Sequence, residues 1–144
     1  MHVRLYVPYC LLLFSFLSLV SCSNTTNTIR SEELHSELQS AISLASETQW
    51  FIGQIQEGRV TPQFSKSHLD YLSVEAMRSR KELSKMPSDS SIAQTLEASR
   101  IQVDSLVKQL TILKADLSNP RILFASNEQI AQIRHALEDE KEQQ

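Results

Sequence analysis

From Ile92 to Leu117 the chain reads IAQTLEASRIQVDSLVKQLTILKADL, the most regular helical repeat in the sequence. Ile92, Leu96, Ser99, Val103, Leu106, Leu110, Leu113 and Leu117 follow one another at strictly alternating steps of four and three. Those steps put every one of these side chains on a single stripe of an α-helix. Neither glycine nor proline interrupts the run, and Asn119-Pro120 closes it. A helix with a 3.5-residue apolar repeat has to cover its stripe with other helices, and does so at a left-handed, coiled-coil-like crossing.

Working outward, two more stretches carry the same repeat. Leu34, Leu38, Ala41, Ala45, Thr48, Ile52 and Ile55 form one seam. Ser65, Leu69, Leu72, Ala76, Ser79, Leu83 and Met86 form the other. Their punctuation is clear. Ser31 reads as an N-cap followed by Glu32 and Glu33, acids that suit the positive end of a helix. Gly58 stands where a C-terminus needs positive φ, and Thr61-Pro62 restarts the chain as cap and first helical residue. Pro87-Ser88-Asp89-Ser90 ends the second run and offers caps for the third.

A fourth, shorter helix is expected from a cap at Ser126 or Asn127, through Ile130, Ile133 and Leu137. Ile122-Leu123-Phe124 is read as part of the loop before it, docked on the bundle end. The predicted fold is therefore all-α. It is an up-down antiparallel bundle of three long helices, about 25 residues and roughly 35–40 Å each, plus a shorter C-terminal helix. The expected organisation is 1–21 signal peptide, 22–30 lipidated cysteine and polar tether, 31–138 helical bundle, and 139–144 charged disordered tail. Small seam residues such as Ala41, Ala45, Ser79 and Ser99 allow close approach but bury little area. The alternative to a monomeric bundle is a helical hairpin that forms a homodimer.

The N-terminus has the three parts of a secretory signal. Met1 to Arg4 carries one fixed positive charge and no acid, Leu5 to Val20 is apolar, and Ser21 is small. The apolar run falls short of the roughly 20 residues a span needs, and it contains Pro8, Ser15 and Ser18. Leu19-Val20-Ser21-Cys22 resembles the lipobox of bacterial lipoproteins. Val7-Pro8-Tyr9 before Cys10 does not. The resemblance covers residues 1–22. It implies cleavage before Cys22, a covalent diacylglycerol on the Cys22 sulfur and an N-acyl chain on its amine. Several acyl chains make a durable membrane anchor where one would be marginal. Ser23 follows Cys22, where lipoproteins of enterobacterial type carry Asp for inner-membrane retention. The resemblance thus favours the outer membrane, facing the periplasm.

Composition narrows the function. Cutting after Ser21 removes Arg4 and no acid, leaving 13 basic against 17 acidic residues, net −4. Nucleic-acid binders need Lys and Arg to neutralise phosphates, so a nucleic-acid partner is not expected. Only two glycines occur, Gly53 and Gly58, too few for phosphate-cradling loops. No cysteine follows Cys22, so no disulfide, cysteine metal site or cysteine nucleophile is available. Glu32-Glu33-Leu34-His35 contains a single Glu-x-x-His, whereas di-iron bundles use two. His68 with Glu75 is at most a two-ligand site. No metal, cofactor or catalytic set is therefore assigned. Arg78 with Glu82 and Asp104 with Lys108 read as i,i+4 surface pairs.

Candidate partner-binding residues are Trp50, Phe51, Phe64 and Tyr71. Trp50, Phe51 and Ile52 together span more of a helix than one stripe, and with Ile52 on the seam Trp50 points outward. Phe64 and Tyr71, seven apart, lie on a flank of the second seam, and Ile101 and Ile112 also point away. The plain expectation is that the fourth helix covers these side chains; the functional one is an exposed aromatic patch for a partner helix or peptide. The function expected is interaction without catalysis: an adaptor, assembly helper or accessory subunit, held on the membrane and touching another envelope protein. A small-molecule or metal-ion binder using the bundle interior is the alternative.

Overall fold

The computed structural model describes residues 27–143. Four helices form: α1 Ser31–Gln56, α2 Pro62–Leu83, α3 Ala93–Ala115 and α4 Pro120–Glu142. Each packs against its chain neighbour, and α4 closes the ring against α1. The short connections 57–61 and 116–119 leave sequential helices no choice but to run antiparallel. The fold is an all-α, up-down helical bundle.

The seams read from sequence are the core. Leu34, Leu38, Ile52, Leu69, Leu72, Leu83, Leu96, Leu106, Leu110 and Leu113 are fully buried. Small polar residues are buried as well, and several of their hydroxyls turn back onto their own helices. Thr48 donates to the Leu44 carbonyl at 2.8 Å, Ser73 to Leu69 at 2.7 Å and Ser99 to Thr95 at 2.6 Å. The i−4 carbonyl thus satisfies a hydroxyl that an apolar interior otherwise penalises. Met86 departs from the seam: α2 ends at Leu83, and Met86 is exposed.

The turn chemistry sets the helix ends. Gly58 has φ +65°, with its N–H on the Ile55 carbonyl and the Arg59 N–H on Gln54, a double C-terminal cap that needs a residue free at positive φ. Thr61 accepts from the Phe64 N–H, with Pro62 at the first helical position. Asp89 accepts from the Ser91 N–H at 2.9 Å and opens a single 3-10 turn, Ser90–Ile92, which runs into α3. That bond holds the Asp89 carboxyl below its usual range.

Four boundaries differ from the sequence reading. Ser31 is the first helical residue of α1 and not its cap; the Glu33 carboxylate reaches back to the Arg30 backbone N–H at 3.0 Å. The fourth helix starts at Pro120 and not at Ser126 or Asn127. Asn119 caps it by accepting from the Arg121 N–H at 3.1 Å, so Ile122-Leu123-Phe124 is helical and only Leu123 of the three is buried. The same helix runs on to Glu142, through most of the expected disordered tail, with Leu137 buried and Lys141 hydrogen-bonded to Gln39 on α1. The fourth difference lies in the tether. Thr28–Ile29 (β1) pairs in parallel with Met86–Pro87 (β2), and Ile29 enters the core. Residues 27–30 are thereby strapped onto the bundle end where α1 and α3 begin and α2 and α4 end.

Candidate interaction face on helices α1 and α2

The aromatic candidates divide sharply. Phe51 is 1% exposed, whereas Trp50, Phe64 and Tyr71 are 61%, 53% and 52% exposed. Phe51 is therefore a core residue and not a contact residue. It shares the interior with Ile52, since two adjacent positions straddle the stripe that faces α2 and α4. Phe64 lies edge-on to Phe51 with ring centres 6.0 Å apart. His68 packs 4.3 Å from Phe51 and runs nearly parallel to Phe64 at 5.7 Å, and Tyr71 follows at 5.8 Å. A buried ring on α1 thus seats a row of three rings on α2. Trp50 stands outside that row.

The expectation that α4 covers these residues fails. Ile130, Ile133 and Leu137 point into the core and leave Trp50, Phe64 and Tyr71 open. Ile101 is exposed on α3, Ile112 is partly so, and Phe124 is open on α4.

His68 does not pair with Glu75. Its Nε2 lies 3.2 Å from Glu47 on α1, because the Phe51 contact turns the ring toward that helix. Glu75 instead sits 3.6 Å from Arg78, which leaves Glu82 to Lys85. Asp104 likewise takes Arg80 across the α2–α3 interface at 2.6 Å, not Lys108. Long side chains reach a neighbouring helix as readily as the next turn, so i,i+4 spacing alone did not fix these partners.

Between α1 and α2 runs a groove of 350 Å³, lined by Ser40, Ser43, Leu44, Glu47, Tyr71 and Glu75, with Glu37, Arg78 and Ser79 at one end. Ser79 donates to Glu37 at 3.2 Å. Burial pushes the Glu37 carboxyl above its usual range; Ser79 opposes the shift and nearby Glu82 adds to it. Sequence reading missed this groove, although α1 signals it. The helix carries Glu32, Glu33, Glu37 and Glu47 and not one Lys or Arg. A second hollow of 400 Å³ between α3 and α4 is lined by Gln102, Ser105, Lys108, Gln109, Gln129 and Gln132.

Among the described residues no three His, Cys, Asp or Glu side chains gather as a metal site, and no helix is long and apolar enough to cross a membrane. Cys22, the expected signal segment 1–21 and the part of the expected tether up to residue 26 lie outside the described residues. No family model, curated protein or solved structure matches the chain.

Proposed function

We propose that this chain is a lipid-anchored interaction protein of the bacterial cell envelope, an adaptor, assembly helper or accessory subunit that binds and does not catalyse. The observation that carries the reading is the exposure of three aromatic side chains, Trp50 on α1 and Phe64 and Tyr71 on α2, on a bundle whose four seams already cover one another. Large aromatic side chains left in water beside a groove favour association, because covering them gains apolar area at small conformational cost. The anchor rests on the lipobox resemblance of Leu19-Val20-Ser21-Cys22. On that reading only residues 23–26 separate the lipidated Cys22 from the strap at Asn27–Arg30. The strapped end then faces the bilayer, and the turn at Gly58 points away from it. An outer-membrane site facing the periplasm follows from Ser23.

Photo-crosslinking in the native host tests the role, with p-benzoylphenylalanine at position 50 or 64 and, as control, at Lys108 on α3. The reading expects one recurrent envelope-protein adduct from 50 and 64, weak or absent from 108, and lost when Cys22→Ser releases the chain from the membrane. Equal adducts from all three positions, or none, would overturn it. An adduct at twice the chain's own mass would assign the face to a homodimer instead of a partner.

A further inference from the structure

We infer that the α1–α2 groove is a docking site for a cationic α-helical segment of the partner; this rests on the interaction reading above and names the partner's chemistry. Ser40 and Ser43 are small, and their hydroxyls are spent on the carbonyls of Ser36 and Gln39, at 3.0 and 2.9 Å. They ask nothing of an incoming surface and let a backbone come close. From Glu37 to Glu47 the groove runs about 15 Å along α1, some three helical turns. A cleft between two antiparallel helices is the seat a further helix fills.

Charge selects the occupant. Three carboxylates, Glu37, Glu47 and Glu75, line the groove with one fixed cation, Arg78, which is mostly in solvent and lies beside Glu75, while the His68 ring reaches Glu47 from α2. α1 supplies no counter-charge of its own. An anionic helix would meet repulsion at both ends of the α1 wall, at Glu37 and Glu47, whereas Lys or Arg would find carboxylates on both walls. The rims add apolar area. Tyr71 overhangs the groove, Trp50 lies one turn beyond Glu47 on the same face, and Phe64 lies two turns before Tyr71. Aromatic faces beside carboxylates also suit cations directly.

Trp50 is the protein's single tryptophan, so its emission reports on this face alone. The mature lipidated protein in zwitterionic micelles is titrated at low salt with two alanine-based helical peptides, one bearing Lys at every fifth position and one bearing Glu. The Lys peptide is expected to shift Trp50 emission saturably, and the Glu peptide to leave it unchanged. Glu47→Gln with Glu75→Gln should weaken the Lys peptide about tenfold, as two lost ion pairs would. Glu128→Gln with Glu140→Gln on α4 removes the same charge elsewhere and should change nothing. Equal weakening by both double variants, binding of both peptides, or binding of neither would overturn the groove assignment. A concentration-dependent Trp50 shift without peptide would assign the groove to a second copy and overturn it too. None of these outcomes alters the crosslinking result, so the interaction reading stands or falls separately.

Discussion

The backbone N–H of Ser88 donates to the carbonyl of Ile29 at 2.9 Å, joining the start of the described chain to the connection between α2 and α3. The Met86 N–H does the same to Asn27 at 3.1 Å, and between the two bonds Ile29 is buried in the core. A segment of tether composition is thus a fifth packed element.

Ile29→Ala should cost about 2–5 kcal/mol, the usual range for truncating a buried isoleucine. Chemical denaturation measures it. Limited proteolysis should show earlier cleavage near residues 27–30 while α1 to α4 stay protected. Unchanged stability would mean that the strap adds nothing to the fold.

Neighbouring residues Trp50 and Phe51 should behave oppositely. Phe51→Ala removes a ring that touches Phe64 and His68 and should cost about 3–5 kcal/mol. Trp50→Ala, on the exposed side, should stay within about 0.5 kcal/mol of the parent in the same unfolding experiment.

The two glycines make a second contrast. At neither would a Cβ meet an atom within 4 Å, so packing is not at stake. Gly58 has φ +65°, and Gly58→Ala should cost about 1 kcal/mol of backbone strain. Gly53 lies inside α1, and Gly53→Ala should stabilise by about 0.5–1 kcal/mol by restricting the unfolded chain. Thermal unfolding of both variants against the parent decides it.

Arg100 locks the end of α2. Its Nε donates to the Leu83 carbonyl at 2.6 Å and its Nη2 to Lys85 at 2.7 Å, a cation on carbonyls that the helix end leaves free. Arg100→Gln should cost about 1.5–3 kcal/mol, the range for charge-assisted bonds. Arg100→Lys should recover only part in denaturant titration, since an ammonium cannot fork to both carbonyls.

Glu37 gives a pH signature. Its carboxyl is raised by burial, so its contribution to stability is full below the unfolded value near 4.5 and is lost as pH rises through the folded value. Glu37→Gln keeps an acceptor for Ser79 and should raise Tm at pH 7 by about 1–3 °C, with the gain vanishing below pH 4. Asp89 has the opposite sign: held low by the Ser91 N–H, it contributes above pH 3.8, and that part is lost as pH falls through its folded value.

The helices were legible from their apolar repeat; the cap readings agreed with it at Thr61 and Asp89 but failed at Ser31 and at Ser126 or Asn127. Thr61-Pro62 and Gly58 read correctly since each has one meaning in its place. Asn119-Pro120 has two: it stops α3 and also caps and starts α4, and the stop signal masked the start. The strap was not legible, because two residues paired with two others far along the chain leave no period to detect. Phe51 was misjudged because a strict seam assigns one residue per turn, while a helix wedged between two neighbours buries a wider arc. The groove was missed for a related reason: it belongs to no single helix and arises only where the edges of α1 and α2 meet.

Anchoring of the bundle at Cys22 is read out by the intact mass of the protein extracted from native membranes. The expected mass is that of a chain that begins at Cys22 and carries a diacylglyceryl thioether with an amide-linked acyl chain. A chain that begins at any other residue, or at Cys22 without lipid, would contradict it.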